Sequence, residues 1–320
     1  MKITKVHLVL SLIGAGGGTF LLYRDFVGGR QYTGKELCLG KTVIITGANT
    51  GIGKETAKVL GLRGGRVILA CRDMKKCEET RKELVEETVN KQIICKELDL
   101  ASMESIKKFA DDINKTEKYL DILINNAGIM RCPKMVTKDG FEMQLGVNHL
   151  GHFLLTNILL DKLKKSAPSR IINVTSQSYS VGKINFDDLN SDIKYDPVDA
   201  YNQSKLANVL FTKELAKRLE GTGVTVNCLH PGYVKTELSR YMPAYKSVSG
   251  YLLHPIFSLI TKDSRQGAQT TSYCALSKDL EKVTGKYFSD CQEKEISEAG
   301  KDEKAAHRLW LISEKWTRIS

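Results

Sequence analysis

Residues 41–53 read K-T-V-I-I-T-G-A-N-T-G-I-G, and this short stretch decides the fold. The β-branched run at 41–46 is typical of a buried parallel strand, and the stretch 54–62 after the glycines is rich in good helix formers. Strand, glycine turn and helix start are the context that a dinucleotide-binding fingerprint requires. The spacing T-G-x-x-x-G-x-G differs from G-x-G-x-x-G, but it allows the same tight turn and the same close approach of backbone to a pyrophosphate. We therefore predict that a dinucleotide binds at Gly47, Ala48, Asn49, Thr50, Gly51, Ile52 and Gly53.

Predicted strands alternate with predicted helices along the rest of the chain, which indicates parallel β-α-β units. The predicted fold class is α/β, a Rossmann-type doubly wound parallel sheet of about seven strands. With 320 residues, 42% of them hydrophobic and 27% charged, the chain can bury one substantial core, and this composition argues against a disordered protein. We see no internal repeat, low-complexity tract or linker rich in proline and serine. We therefore predict a single domain over 37–320, behind a hydrophobic N-terminal segment and linker over 1–36.

The second predicted strand runs into Arg72 and Asp73. A dinucleotide site commonly places an acidic residue on the ribose 2′-hydroxyl of NAD at about this distance past the glycines, whereas a nearby arginine accommodates the 2′-phosphate of NADP. Arg72 occupies the strand end, so the sequence favours NADP(H). If Asp73 instead pointed at the ribose, Arg72 would be a surface cation at the end of a strand.

Tyr201 and Lys205 stand four residues apart in Y-N-Q-S-K. On an α-helix such residues share a face. Free tyrosine has a pKa near ~10, and a cation within a few Å favours its phenolate form. The pair therefore indicates a proton donor and acceptor that works near neutral pH. The spacing alone is common on solvated helix faces, so its weight comes from the motifs around it.

Three further motifs accompany the glycine turn and the Tyr201–Lys205 pair. N-N-A-G at 125–128 ends a predicted strand, R-I-I-N-V-T at 170–175 runs into Ser176, and H-P-G occupies 230–232. Together the five motifs resemble the short-chain dehydrogenase/reductase family, in the family's order, over roughly residues 40–288. Any one of them could be chance, but five in sequence are hard to explain otherwise.

Other segments are similar to the retinol dehydrogenase branch of that family. They include D-G-F-E-M-Q at 139–144, N-H-L-G-H-F-L-L-T at 148–156 and S-A-P-S-R-I-I-N at 166–173. The segments I-L-A-C-R-D-M-K-K-C-E and I-M-R-C-P, with the glycine-rich N-terminal stretch, narrow the resemblance to one member of the branch. The interval of 25 residues between Ser176 and Tyr201 is long for the wider family but suits this branch.

The resemblance implies a role for each residue of a catalytic set. Tyr201 would be the general acid in reduction and the general base in oxidation, with its pKa lowered by Lys205 and by an oxidised nicotinamide. Lys205 would also hold the ribose hydroxyls, and Ser176 would donate a hydrogen bond to the substrate oxygen. Asn148 would position a water on a relay that ends at Lys205. Alternatively, Asn148 only bonds a neighbouring backbone.

The same resemblance implies further contacts to the cofactor. Asp99, after the third predicted strand, would meet the adenine, and a loop after the sixth strand would close on the nicotinamide side. The remaining implied contacts are Arg72, Asn125, Ala127, Gly128, Tyr201, Lys205, Pro231, Gly232 and Thr236. His149, His152 and His230 lie within family motifs that have no proton-transfer task, so we predict that they are structural.

The implied activity is the NADP(H)-dependent interconversion of retinal and retinol by hydride transfer, with reduction favoured. Residues 237–262 are strongly apolar, and near a cofactor cleft such a segment would form a lid over an apolar substrate or touch a bilayer. Steroids, lipid aldehydes and quinones would fit the same lid. A protein that binds NADPH without catalysis is the remaining alternative, and it predicts a broken catalytic set, whereas all four residues are present.

Residues 6–23 form an uncharged run of 18 residues that is short for a membrane span and weakened by its glycines. No small-x-small cleavage site follows directly, and no arginine precedes Arg24, which argues against secretory and mitochondrial targeting peptides. We therefore predict a membrane anchor. The resemblance to one member of the retinol dehydrogenase branch favours the mitochondrial inner membrane, whereas the branch as a whole points equally to the endoplasmic reticulum.

The net charge of +11 does not indicate a nucleic-acid partner, because the lysines are spread among acidic residues and no recognition motif is present. A basic surface near an anionic leaflet and a cofactor with three phosphates account for it. The eight cysteines show neither C-x-x-C nor zinc spacing, so we predict buried free thiols, no metal and no required disulfide. A homo-oligomer is compatible with the sequence.

Overall fold

The computed structural model describes residues 27–242 and 261–319. Its centre is one eight-stranded sheet with the strand order β3-β2-β1-β4-β5-β6-β7-β8. Strands β1 to β7 are parallel, as predicted, and an eighth strand pairs antiparallel with β7 at the edge. The strands are β1 Thr42–Thr46, β2 Arg66–Cys71, β3 Ile93–Glu97, β4 Ile122–Asn125, β5 Ser169–Val174, β6 Val224–His230, β7 Tyr287–Ser289 and β8 Gln292–Lys294.

The strand order reverses direction at β1, and this reversal positions the site. β1 pairs with β2 on one side, with Val43 opposite Val67, and with β4 on the other, with Val43 opposite Ile122. The chain winds outward in both directions from this point. In open parallel sheets a crevice forms at such a switch point, outside the carboxyl ends of the strands, and ligands bind there.

The main helices cover both faces of the sheet. On one face α3, α4 and α5 pack against the strands, with the C-terminal α7 on their outside, and α1, α2 and α6 cover the other face. Short helical turns occur at Met143–Leu145 and Glu298–Lys301, and 3-10 turns at Gln177–Val181, Glu237–Tyr241 and Lys278–Leu280. The helices are α1 Gly51–Leu62, α2 Met74–Thr88, α3 Met103–Thr116, α4 Gly151–Lys165, α5 Pro197–Arg218, α6 Ser264–Leu276 and α7 Glu303–Thr317.

Each face of the sheet has its own apolar core, because alternate residues of a strand point to opposite faces. On β1, Ile44 packs into the core under α3 to α5, whereas Val43 and Ile45 pack into the core under α1, α2 and α6. All five residues of β1 are buried, as expected for a central strand covered on both sides. On the first face Trp310 of α7 packs edge-on against Phe153, with ring centroids 4.8 Å apart.

Two features of the structure bear on the predicted ends of the domain. Residues before 37 are already fastened to the domain, since the Tyr32 N–H donates to Gln269 Oε1 over 3.0 Å and Arg63 donates to the Glu36 carbonyl over 2.7 Å. The run at 6–23 and residues 243–260 of the expected lid lie outside the described residues. Within the two described ranges, no helix combines the length and apolar character needed to cross a membrane.

The expectation of free cysteines holds for six of the eight, which are all buried. Cys77 and Cys95, however, form a disulfide, so the prediction of free thiols is wrong for this pair. The packing of α2 on β3 brings their Cα atoms to 6.1 Å, within reach of a disulfide, although 18 residues separate them in sequence. In the described part of the chain, no group of three or more metal-binding side chains is positioned to hold a metal ion.

Candidate active site

The glycine turn lies at the carboxyl end of β1 and opens into α1. Gly47 and Gly51 have φ values of +63° and +56°, the left-handed region that glycine adopts without strain. A Cβ on Gly53 would lie 2.5 Å from the Gly47 carbonyl oxygen and 2.6 Å from Asn126 Nδ2. The turn is therefore built so that backbone, with no side chain, faces the crevice. The first turn of α1 carries no acidic residue, so its N–H groups suit a phosphate.

The carboxyl end of β4 forms the next wall. Asn126 is bonded to β1, since its N–H donates to Thr46 Oγ1 over 2.9 Å and its Nδ2 donates to the Thr46 carbonyl over 2.8 Å. These bonds hold Ala127 against the glycine turn, where it approaches Gly47 closely. Asn125 lies elsewhere: its amide donates to Asn173 and Thr156 inside the core. The structure thus places Asn126, and not the predicted Asn125, in the crevice.

The end of β2 presents the charges expected for a phosphate or ribose. Arg72 is exposed and forms no hydrogen bond or ion pair with any other described residue. Asp73 caps α2, because its carboxylate accepts from the Lys76 N–H over 3.0 Å. One turn into the same helix, Lys76 also faces the crevice and pairs with Glu237 over 2.7 Å. Asp99, after β3, lies beside them and forms an ion pair with Lys138.

Asn148 stands in a π-helical turn over Gly146–Leu150, directly ahead of α4. Its Oδ1 accepts from the Ile129 N–H over 2.8 Å, and its Nδ2 donates to the Ile129 carbonyl and to Ser204 Oγ, both over 2.9 Å. The side chain therefore ties the loop after β4 to α5. Of the two predicted roles, these contacts match the bonding of a neighbouring backbone. Single π-turns of this kind occur often at functional sites.

Ser176, Tyr201 and Lys205 come together at the other end of the crevice. Ser176 follows β5, and its hydroxyl, which donates to Ser178 Oγ over 3.3 Å, lies close enough to the Tyr201 phenol to lower its pKa. Lys205 lies one turn after Tyr201 on α5, with its Nζ 5.8 Å from the phenol ring centroid. The Lys205 ammonium donates to the Val174 carbonyl over 3.1 Å. Both side chains on α5 are almost fully buried, with exposed fractions of 2% and 3%.

Burial sets the charge states of this pair. It raises the pKa of Tyr201 to about 12, although the bond from Ser176 and the Arg131 guanidinium act in the opposite direction. It lowers the pKa of Lys205 to about 8, because the ammonium is taken out of water. The prediction that Lys205 and an oxidised nicotinamide together lower the Tyr201 pKa concerns the protein with its cofactor bound, and it stays a prediction. At neutral pH the phenol is protonated and ready to act as an acid.

A cavity of about 370 Å³ joins these elements into one site. Predicted residues that line it are Gly47, Asn49, Thr50, Gly51, Ile52, Gly53, Arg72, Asp99, Ala127, Gly128, Tyr201, Lys205, Pro231 and Thr236. Ala48, Asn125, Asn148, Ser176 and Gly232 do not line it, although Ser176 reaches it through Tyr201. The lining includes apolar side chains beyond the cofactor motifs, namely Met135, Met143, Val147, Leu238 and Tyr241.

The loop after β6 closes one side of the cavity. Gly232 has a φ of +93°, and a Cβ there would lie 2.7 Å from Lys262 Cδ. Lys262 is buried and forms an ion pair with Asp290, so the loop packs against a side chain that is held in place. Thr236 then caps the 3-10 turn Glu237–Tyr241, because its Oγ1 accepts a hydrogen bond from the Leu238 N–H.

The three histidines take no part in the cavity. Burial lowers the pKa of His149 to about 3 and the pKa values of His152 and His230 to about 4, so all three are neutral at physiological pH. His152 bridges Thr46 Oγ1 and the Asn148 carbonyl, over 2.9 and 3.0 Å. His149 contacts Ser313 Oγ of α7 over 2.9 Å. These contacts agree with the structural role predicted for them.

Sequence reasoning missed several residues of the site. Asn126 was overlooked in favour of Asn125, although adjacent residues of a strand point to opposite faces of the sheet. Lys76 had a readable signal, since it is a cation one helical turn past Arg72. Gln144 and Arg131, which shape the loop after β4, had none, because their partners come from distant parts of the chain.

Comparison with known proteins agrees with this geometry. Residues 41–246 match the family model described as short chain dehydrogenase. The chain is 54% identical to retinol dehydrogenase 13 of Mus musculus, over 97% of this chain and 93% of that protein. It is 52% identical to retinol dehydrogenase 12 of Homo sapiens, over 90% and 89% of the two chains. Among solved structures, an uncharacterized protein from Mycobacterium Paratuberculosis superposes with a TM-score of 0.74 at 36% identity, over 91% of this chain and 98% of that one.

Proposed function

Because the chain belongs to the short-chain dehydrogenase family and is thus an NAD(P)-dependent oxidoreductase, we propose that it interconverts retinal and retinol with NADP(H). Reduction of the aldehyde is the favoured direction. The observation that carries the proposal is the meeting of Ser176, Tyr201 and Lys205 at one end of a cavity whose other end is the glycine turn. This arrangement supports a nicotinamide ring bound beside the Tyr201 phenol, with the cofactor phosphates at the start of α1.

The choice of NADP(H) rests on the two residues at the end of β2. The Asp73 carboxylate is committed to capping α2, which leaves it poorly placed to accept from a ribose hydroxyl. Arg72 is exposed at the crevice without a partner among the described residues, and Lys76 lies one turn away. Two cations at this point suit the 2′-phosphate better than a 2′-hydroxyl.

The proton chemistry follows from the burial of Tyr201. The bound cofactor supplies the hydride in reduction. Tyr201 donates its proton to the substrate oxygen, and a pKa of about 12 keeps this proton in place at neutral pH. The Ser176 hydroxyl lies beside the phenol and would turn its single O–H toward the substrate oxygen, which would then receive a second hydrogen bond as negative charge develops there. Lys205 holds positive charge below the phenol.

The substrate class rests on the apolar lining and on similarity to retinol dehydrogenases. Met135, Met143 and Val147 face the cavity on the side of the loop after β4, and Leu238 and Tyr241 face it from the 3-10 turn. A long apolar aldehyde suits such a wall. Steroid ketones, lipid aldehydes and quinones suit it as well, and reduction of one of these is the second candidate. A scaffold without catalysis is less favoured, because no member of the catalytic set is missing.

We also propose attachment to a membrane through the segment within 1–36, and the mitochondrial inner membrane as the location. The similarity to retinol dehydrogenase 13 supports that membrane, and the endoplasmic reticulum is the alternative. The domain proper would then occupy 37–320, with the fastened stretch from Tyr32 as the connection. We also propose the Asn148 water relay, in which the Asn148 carbonyl, already accepting from His152, would accept from the water as well.

The proposal is tested with full-length protein in detergent, assayed with retinal, a steroid ketone and a lipid aldehyde, each with NADPH and with NADH. We expect the highest kcat/KM for retinal with NADPH. A higher kcat/KM for the steroid or the lipid aldehyde would favour the second candidate. Binding of NADPH with no turnover of any carbonyl would favour the scaffold.

A further inference from the structure

The 3-10 turn Glu237–Tyr241 lies across the cofactor end of the cavity. Its cap, Thr236, contacts the glycine turn, because a Cβ on Gly51 would lie 3.1 Å from Thr236 Cγ2. Leu238, on the turn itself, approaches the opposite wall, where its Cδ1 would lie 3.8 Å from a Cβ on Gly128. The turn therefore reaches from the start of α1 to the loop after β4, and both contacts lie along the cavity.

One ion pair fastens this turn to α2, which forms a third wall of the site. The Lys76 ammonium donates to Glu237 Oε1 over 2.7 Å, although 161 residues separate the two in sequence. Both residues line the cavity, and their side chains are 39% and 53% exposed. Among the ion pairs of the described residues, this one alone joins two residues of the lining. Solvent screens such an exposed pair, so it contributes little to stability and can be exchanged for a better partner.

The other carboxylates at this end of the cavity are committed elsewhere. The Asp73 carboxylate caps α2, and Asp99 pairs with a lysine outside the lining. Of the three acidic residues that line the cavity, Glu237 is therefore the one that pairs with a cation of the lining. That cation, Lys76, lies one helical turn past the exposed Arg72, where the 2′-phosphate of NADP(H) is proposed to bind.

A 2′-phosphate is a stronger partner for Lys76 than the Glu237 carboxylate. The phosphate carries close to two negative charges and three acceptor oxygens, whereas the carboxylate carries one charge. If Lys76 kept both partners, the phosphate and the carboxylate would lie within several Å of each other and would repel. Glu237 therefore opposes the binding of a 2′-phosphate in either arrangement. A 2′-hydroxyl carries no charge for Glu237 to oppose.

We propose that Glu237 is a specificity-determining residue: it holds Lys76 in the empty site, and the 2′-phosphate of NADP(H) competes with it for that lysine. This inference rests on the proposed choice of NADP(H) as cofactor. Glu237 thus lowers the affinity for NADP(H) and leaves the affinity for NAD(H) unchanged. When Lys76 exchanges its partner, the 3-10 turn also loses its link to α2, so this link responds to the phosphorylated cofactor.

The test measures the Kd of NADPH and the Kd of NADH by calorimetric titration of the full-length protein in detergent. Glu237→Gln removes the charge and keeps the shape of the side chain, and Glu237→Ala also removes any remaining bond to Lys76. Lys76→Met removes the contested cation. Glu87→Gln is the matched control, since it breaks an ion pair of α2 with Lys58, over 3.0 Å, that lies outside the cavity lining.

We expect Glu237→Gln and Glu237→Ala to lower the Kd for NADPH roughly 2- to 10-fold, the effect of one exposed ion pair and the repulsion that accompanies it. The Kd for NADH should stay unchanged. The gain should shrink as salt is raised from ~50 to ~500 mM, because salt screens exposed charges. In Lys76→Met, NADPH should bind more weakly, and adding Glu237→Gln should then have little effect. Glu87→Gln should match the wild type.

An unchanged Kd for NADPH in both Glu237 variants would overturn the proposal, as would weaker binding of both cofactors. A gain of equal size in the Lys76→Met background, or in Glu87→Gln, would do the same, because Glu237 would then not act through Lys76. If retinal is not reduced, the proposed activity fails, and these binding constants still decide the role of Glu237. A wild type that prefers NADPH, with Glu237 variants that match it, contradicts this inference alone.

Discussion

At the scale of single residues, burial determines what each group of the site can do. Tyr201 and Lys205 are adjacent on α5 and almost equally buried, yet burial moves their pKa values in opposite directions. At neutral pH the Tyr201 phenol keeps its proton, whereas burying the charged Lys205 ammonium lowers the stability of the folded protein. A sequence motif names these two residues but does not report their solvation.

Burying the Lys205 ammonium should lower the free energy of unfolding by a measurable amount. Its pKa of about 8 in the folded protein lies below the ordinary value of 10.5, so between these pH values the unfolded chain binds more protons. Stability from this group therefore rises as pH increases through that interval. At pH 7 we expect Lys205→Met to be more stable than the wild type by up to about 3 kcal/mol, with catalysis lost. The gain should shrink toward pH 10. Urea unfolding at both pH values measures it, and a variant less stable at both would contradict the account.

Arg72 should decide the choice of cofactor. Loss of its guanidinium in Arg72→Ala removes a charged contact to the 2′-phosphate, which is worth about 1.5–3 kcal/mol. We expect the Kd for NADPH to rise about 10- to 100-fold, with the Kd for NADH nearly unchanged. Lys75→Ala, which removes an exposed cation of α2 that does not line the cavity, is the control. Equal weakening of both cofactors would argue against the assignment.

At the scale of elements, short-range sequence patterns predicted the recurring strands and helices but missed features that occur once in the fold. The β-branched run at 41–46 and the glycines after it specify β1, its turn and α1. The edge strand Gln292–Lys294 was missed because its three residues are polar and show no alternation. Asn125 and Asn126 were confused because a shift of one residue at the end of β4 moves a side chain to the other face. The π-turn around Asn148 and the Cys77–Cys95 pair depend on distant packing, which short-range patterns do not report.

The glycine turn can be tested as an element. In Gly53→Ala the new Cβ would meet the Gly47 carbonyl and the Asn126 amide, which cannot move without opening the turn. We expect a loss of roughly 1–3 kcal/mol in stability and cofactor affinity weakened at least tenfold. Gly61→Ala, at the far end of α1, meets the tips of the Ile93 and Thr88 side chains at 3.0 and 3.4 Å and should leave cofactor affinity unchanged. Calorimetric titration with NADPH compares the two. Similar affinities would show that the turn does not approach the cofactor closely.

At the scale of the whole molecule, the doubly wound topology brings together residues from six strand ends. Arg72, Asn126, Ser176 and Pro231 are far apart in sequence, but all follow the carboxyl ends of parallel strands near the reversal at β1. The fold class and the cofactor-motif residues of the cavity could therefore be predicted from motif order. Lys76 had a readable signal one helical turn past Arg72, whereas Arg131 and its loop depend on partners from distant parts of the chain and could not be predicted.

The proposed anchor should be separable from the domain. Removing residues 1–26 leaves the bonds from Tyr32 and Arg63 that fasten the N-terminal stretch. We expect a folded protein that binds NADPH and no longer sediments with membranes. Carbonate extraction followed by centrifugation measures this. If the truncated protein still resists extraction, the membrane contact lies elsewhere, and residues 243–260 become the first region to examine.

The central claim is that Tyr201 carries the proton. Tyr201→Phe removes one hydroxyl from a buried ring, so the fold and the affinity for NADPH should persist. For reduction of retinal with NADPH we expect kcat to fall by at least ~10²–10⁴, the range attributed to general acid–base catalysis. Lys205→Ala should lower kcat and also weaken NADPH binding, which separates its two roles. The decisive measurement is kcat for Tyr201→Phe at saturating retinal and NADPH. A collapse in kcat with unchanged cofactor affinity supports the account, and turnover near that of the wild type would contradict it.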